Sequence, residues 1–340
     1  MATQQPRRRR HIRWDRIIVT AVILVTLIFL LGSCIHSCGG NEESSSVADT
    51  GSSTSENSTV RSGSSSASAD GSSSAEGSSD ASADTAPAVS TADIPSDYQY
   101  VTMVSGAVYS GTLVLVDGDN PSRLTTDELD LVQVYYSTDR PSTYEISYPG
   151  HTQLNKTAIT QFNRLMHAYY TATENTEIMF NYGYLEAGKE HSNAESATAL
   201  DIQLHLKYTS GGYNYISYTS PYTWLFDHMA NYGFILRYPE NKGELTGQRP
   251  TYTAIRYVGV PHAAYIAEHD LCLEEYLQLL QDEYQFGQNM LEYSTAEQTY
   301  HIYYVPASRT GDTEVPVPNS GTWEISGNNI GGFIVTIYAG

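Results

Sequence analysis

Trp224-Leu-Phe-Asp-His-Met-Ala-Asn-Tyr-Gly-Phe-Ile-Leu-Arg-Tyr-Pro239, continuing to Leu245-Thr-Gly247 and Ile255-Arg-Tyr-Val-Gly259, is the stretch from which the rest of the chain is read. Trp224, Leu225 and Met229 share one helical face, and Gly233 stands where a helix C-cap takes positive φ. Phe234 to Tyr238 reads as a buried strand stopped by Pro239. Helix, sharp turn and apolar strand make a core unit. By itself that unit carries no chemistry.

Working outward, Asn155 to Thr173 has helical spacing, with Ile159, Phe162, Leu165, Met166 and Tyr169 on one face and Asn155 or Thr157 as N-cap. His167 falls off that stripe, toward solvent. Glu177 to Tyr182 reads as a core strand entering a Tyr182-Gly-Tyr184 loop. Upstream, Tyr100 to Val104, Val108 to Val116, Leu131 to Tyr136 and Tyr144 to Tyr148 have strand character, with a turn at Asp117 to Pro121. Downstream, His262 to His269 and Leu273 to Leu280 read as helices whose apolar faces close the domain. Gln298 to Pro306, Gly321 to Ser326 and Gly332 to Tyr338 then read as strands of a small module.

The ends of the chain differ in composition. Six arginines (Arg7 to Arg10, Arg13, Arg16) precede an apolar, uncharged run at 17–35, long enough for one membrane span and oriented with its N-terminus in the cytoplasm. A lipoprotein signal with a lipidated Cys34 is the alternative. A Ser-, Gly- and Asp-rich stretch follows that has almost no large apolar side chains and is expected to be disordered. The whole chain carries a formal net charge of −20. Such a surface repels nucleic acid and anionic polymers, so nucleic acid is excluded as a partner. Cys34, Cys38 and Cys272 form no disulfide framework and no zinc-ribbon pattern.

Read as a string, Tyr232 to Pro239, Thr246-Gly247 and Arg256-Tyr-Val-Gly259 resemble the VanY-type D-alanyl-D-alanine carboxypeptidases, zinc enzymes of bacterial cell-wall metabolism. His191-Ser-Asn-Ala-Glu-Ser-Ala-Thr-Ala-Leu-Asp201 resembles that family's first metal motif, His-Ser-Glu-His-Gln-Thr-Gly-Leu-Ala-Val-Asp. Tyr182-Gly-Tyr-Leu-Glu186 resembles its Ser-Gly-Tyr-Arg-Ser substrate loop. The resemblance implies an α+β domain, an antiparallel sheet with flanking helices. The resulting division is 1–36 basic segment and anchor, 37–97 linker, 98–283 carboxypeptidase-like domain and 284–340 C-terminal β module.

The same matching removes the chemistry. The family's zinc ligands are His, Asp and His; here those positions are Ala194, Asp201 and Ala254. Its general base Glu falls on Thr251, its substrate-carboxylate Arg on Leu185, and its motif Gly on Ala197. A catalytic zinc needs about three protein ligands and one open position, and a threonine hydroxyl does not titrate near neutrality. No metal and no catalytic residue are therefore expected. A replacement site from His191, Asp201 and His205 or His228 lacks a second pair at ligand spacing. Asp201 is either a polar floor to the groove or a carboxylate held by backbone donors or an arginine. The candidate groove residues are Asp201, Tyr182, Tyr184, Leu185, Thr251 and Arg256, with Arg237 and Arg256 read as ion-pair partners.

The expected function is a membrane-tethered, extracytoplasmic pseudopeptidase that binds peptidoglycan stem peptides or an envelope partner. The alternatives are an active zinc carboxypeptidase and a purely structural envelope protein.

Overall fold

The computed structural model describes residues 94–185, 198–208 and 215–339. The expected span at 17–35, Cys34, nearly all of the 37–97 linker and the motif positions His191, Ala194 and Ala197 lie outside the described residues. No described helix is long and apolar enough to cross a membrane.

Strands β1 (Tyr98–Met103), β2 (Leu131–Gln133), β3 (Glu145–Ile146) and β4 (Gln153–Asn155) precede helix α1 (Lys156–Thr173). Next come β5 (Ile178–Tyr182), β6 (Asp201–Leu206), α2 (Thr223–His228), β7 (Phe234–Tyr238) and β8 (Thr251–Tyr257). Helices α3 (Val260–His269) and α4 (Leu273–Glu283) lead into β9 (Leu291–Ser294), β10 (Thr299–Pro306), β11 (Thr313–Pro318), β12 (Thr322–Gly327) and β13 (Gly332–Ala339).

Among the described residues a five-stranded sheet runs in the order β3-β5-β6-β8-β7. It is antiparallel except for the short parallel edge pair β3–β5. α1 starts where Asn155 Oδ1 accepts the amides of Thr157 and Ala158, and its apolar stripe is buried against this sheet. Phe162 meets Phe180 and Phe234 edge-on at centroid distances of 5.4 and 6.2 Å. His167 is exposed, as its position off the stripe predicts.

Gly233 closes the turn after α2 at φ 84°. A Cβ there would come within 2.6 Å of the Tyr257 ring, so the positive φ and the close approach both require glycine.

A second sheet has the order β12-β13-β10-β9. Period-2 alternation sends Tyr300, Ile302 and Tyr304 toward α3 and α4, and Tyr303 and Val305 toward β11. β11 pairs along its length with β1, so the first strand of the folded region joins the last stretch of the chain. Ile235 of β7 shares the core of α3, α4 and β10, which makes the packing continuous between the two sheets.

The structure corrects several strand expectations. Val108 to Val116 is not a strand: Ser105–Tyr109 is a 3-10 turn, and the rest is irregular. Leu113, Val114, Leu115 and Val116 are all buried rather than alternating. Their backbone groups are bonded mostly to side chains, with Leu113 N on Ser326 Oγ and the Val114 and Leu115 carbonyls on Arg256 and Asn329. Only Leu131–Gln133 of the next stretch and Glu145–Ile146 of the one after it are extended. β9 and β11 were not anticipated. Pro316 and Pro318 argue against a strand, but β11 is a ribbon edge that tolerates missing amides.

One buried group sets a pH limit. His262 is enclosed between Tyr276, whose hydroxyl lies 2.7 Å from Nδ1, and Thr336, whose hydroxyl lies 3.1 Å from Nε2. Burial pulls its pKa down to about 3, from 6.5. The unfolded chain therefore takes up this proton first, and stability present above pH 6.5 is lost as pH falls toward 3. The expected slope approaches about 1.4 kcal/mol per pH unit below the unfolded pKa. Urea melts at pH 7, 6 and 5 should show it, and His262→Gln should flatten it. Equal slopes in both proteins would assign the effect elsewhere.

Candidate functional site

The matched positions lie on neighbouring strands of the five-stranded sheet and on the loop after β5. Tyr182 of β5, Gln203 of β6 and Ala254 of β8 stand opposite one another in a row across three strands. Asp201 and Arg256 form the next row. Tyr184 follows β5, its amide donating to the Gln153 carbonyl at 2.8 Å, and its hydroxyl lies 3.4 Å from that of Thr126. Leu185 is half-buried beside it, and Thr251 opens β8 opposite Tyr238. All six candidate groove residues are thus carried by β5, β6, β8 and the loop after β5.

Asp201 is held as an ion-pair partner. Its Oδ2 accepts from Nη1 of Arg256 at 2.9 Å and from the Thr198 hydroxyl at 2.6 Å. Arg256 is fully buried, and its Nη2 donates to the Val114 carbonyl at 2.7 Å. Burial lowers the pKa of this guanidinium, and Asp201 opposes that shift. Asp201 Oδ1 is buried and has no hydrogen-bond partner among the described residues. Of the two readings open for Asp201, the geometry matches the carboxylate held by an arginine.

Arg237 is a second buried guanidinium, 1% exposed, with Nη1 2.8 Å from Glu274 Oε1 but without hydrogen-bond alignment. Burial works to lower its pKa, while Glu274 and Asp201 raise it further, so the net shift is upward. Both arginines are therefore ion-pair partners, as expected. Thr198, which donates to Asp201, and Glu274, which pairs with Arg237, were not anticipated. Thr198 had a signal, lying three residues before Asp201 in the quoted motif, but Glu274 is remote in sequence and had none.

The zinc implied by the resemblance does not fit these residues. Ala254 is buried and has no donor atom, and Ala194, outside the described residues, has none either. One carboxylate oxygen remains, Asp201 Oδ1. His205 shares the Asp201 face of β6, but four residues of strand separate them by about 13 Å, too far for a shared ion. His228 is stacked on Trp224 at 4.1 Å, with Nδ1 2.7 Å from the Trp224 carbonyl. Among the described residues no group of three potential metal ligands occurs. At the base position, the Thr251 hydroxyl lies 2.8 Å from that of Thr253 and accepts the Thr253 amide at 3.1 Å. This is a contact within β8, and among the described residues no acid or base is bonded to the Thr251 hydroxyl.

No family model matches the chain. Curated proteins do. A D-alanyl-D-alanine carboxypeptidase of Enterococcus faecium is 29% identical over 258 residues, covering 71% of this chain and 80% of that protein. The bifunctional D-Ala-D-Ala dipeptidase and carboxypeptidase VanXYC of Enterococcus gallinarum is 54% identical over 48 residues, but over only 25% of its own length. Among solved structures, the vancomycin-resistance D,D-dipeptidase VanXYg, in complex with a D-Ala-D-Ala phosphinate analogue, superposes with a TM-score of 0.59. That match has 24% identity and covers 71% of this chain and 99% of the other. The fold and the string of matched motifs lead to one assignment. The chain is a homologue of the VanY-type D-alanyl-D-alanine carboxypeptidases.

Proposed function

We propose that this chain is a catalytically inactive member of its family, tethered to the membrane through residues 17–35, that holds a peptidoglycan stem peptide in its former substrate groove. The observation that carries this reading is the state of the one retained ligand. Asp201 is engaged by Arg256 and Thr198, while the other ligand positions are alanines and the base position is Thr251. The names of the relatives, which act on or bind D-Ala-D-Ala, supply the ligand class. Tyr182, Tyr184 and Leu185, all half-buried, supply aromatic and apolar side chains suited to the peptide body. Leu185 offers no charge to a terminal carboxylate, so affinity rests on these side chains.

The test is a metal analysis of the purified protein together with calorimetric titration of an L-Lys-D-Ala-D-Ala stem peptide. Binding is expected without stoichiometric zinc and without release of D-alanine. One zinc per chain with chelator-sensitive D-alanine release would establish the active enzyme instead. No heat with the stem peptide or longer muropeptides would leave the structural envelope reading.

A further inference from the structure

A separate cleft of about 880 Å³ is lined by none of the candidate groove residues. Four parts of the chain build it: the turn around Tyr109 with Arg123, the end of α4 with Gln281 to Gln288, the hairpin joining β10 to β11, which carries Arg309, and the β12–β13 turn with Asn329 to Gly331. Its charge is opposite to that of the molecule. The chain has 38 acidic and 18 basic residues, so two arginines would ordinarily be accompanied by about twice as many carboxylates. Among the described lining residues there is no Asp or Glu. On a surface this acidic, two guanidinium groups without a carboxylate make a local anion site against the overall field.

The arginines have donors to spare. Arg123 lies over the Tyr109 ring, 4.4 Å from its centroid, and donates one bond, from Nη1 to the Tyr109 hydroxyl at 2.7 Å. That stacking fixes the guanidinium plane and leaves most of its five N–H donors unused. Arg309 has no ion-pair or hydrogen-bond partner among the described residues. A planar fork of this kind takes a carboxylate through two parallel bonds.

The remaining wall combines amide side chains with apolar and aromatic ones, Phe286, Tyr304, Pro306 and Ile330 among them. Asn329 donates Nδ2 to the carbonyls of Leu115 and Asn120, and its amide oxygen has no partner among the described residues. Gln285 Nε2 is used on the Gln281 carbonyl, and Gln288 Nε2 reaches Gln285 at 3.3 Å, while the Gln281 side chain has no described partner. Amide donors and acceptors match the hydroxyls of a sugar, and the Phe286 and Tyr304 rings offer flat faces for its apolar side.

From this arrangement we infer that the cleft binds a carboxylate-bearing oligosaccharide, with Arg123 and Arg309 on the carboxylate and the Gln281 and Asn329 amides on ring hydroxyls. It is a second site whose ligand is anionic, although the protein as a whole repels anions.

The experiment titrates the full chain at low salt with tri-galacturonate, sialyllactose and N-acetylglucosaminyl-N-acetylmuramic acid. Each is paired with its neutral methyl ester, and inorganic phosphate serves as a bare anion. At least one acid is expected to bind, with esterification weakening it roughly tenfold or more, the loss of one charge-assisted contact. Arg123→Ala and Arg309→Ala should each weaken it to a similar degree, with Arg309→Lys recovering part of the loss. Both arginines are exposed, so circular dichroism should show folded variants. The inference is overturned if no acid binds, if acid and ester bind alike, or if folded arginine variants bind as wild type. It is also overturned if phosphate displaces the sugar at equal concentration, which would reduce the cleft to a simple anion site. Stem-peptide binding in the groove is read separately and is expected to be unchanged in both arginine variants.

Discussion

Asp201→Ala is expected to unfold the protein more readily without changing its metal content. Removing one partner of a buried ion pair leaves the other charge without compensation, at a cost of about 3–5 kcal/mol. Arg256 has no exposure to water, and its remaining bonds go to neutral carbonyls of Val114 and Tyr257. For a domain of this size the melting temperature should fall by roughly 10 °C. Thr198 would lose its acceptor as well. Replacing both partners with apolar residues, Asp201→Leu with Arg256→Met, removes the stranded charge and should recover much of the loss. Thermal melts of the three proteins beside metal analysis decide the matter. An Asp201→Ala protein that melts as wild type would show that the pair contributes nothing, and a loss of bound zinc would restore Asp201 as a ligand.

The second large effect is a gain. Ala194→His with Ala254→His is expected to convert a protein without zinc into one that binds one zinc per chain. Ala254 stands opposite Gln203, two residues along β6 from Asp201. Diagonal positions on neighbouring strands lie about 7–8 Å apart, so an imidazole from 254 and a carboxylate from 201 can meet a metal at ligand distances of about 2.0–2.2 Å. Asp201 Oδ1 is the oxygen left for it, since Oδ2 already carries Thr198 and Arg256. The difficulty is volume. Ala254 is 3% exposed, and adding an imidazole to filled space costs typically about 1–3 kcal/mol. Binding of the metal should offset this, because free energy of binding becomes folding free energy. Release of D-alanine from a stem peptide is expected only when Thr251→Glu and Leu185→Arg are added. The readouts are zinc per chain and D-alanine in solution. A double-histidine protein that folds yet takes up no zinc would show that the groove has been repacked beyond repair.

Much of this was legible in the sequence because the deciding signals are local. The capped helix at Asn155, the glycine turn at Gly233 and the run Phe234 to Tyr238 each follow from neighbouring residues, and the structure has them. The alanines at 194 and 254 are equally local, since a side chain without a donor atom cannot become a ligand in any fold. Val108 to Val116 was misread because apolar content alone does not distinguish a strand from an irregular segment buried on all sides.

The sequence by itself determined the family resemblance, the helix-turn-strand unit at 224–239 and the absence of donor atoms at two ligand positions. Each of these is set by residue type and short spacing. Only the tertiary structure decided which partners the charged residues take. Asp201 meets Arg256 across 55 positions, Arg256 meets Val114 across 142, and β1 pairs with β11 across the length of the fold. It also brought Arg123 and Arg309 to one cleft with no carboxylate among the described residues that line it. Burial and long-range pairing depend on how sheets and helices pack, and packing is a property of the folded chain that short sequence patterns do not encode.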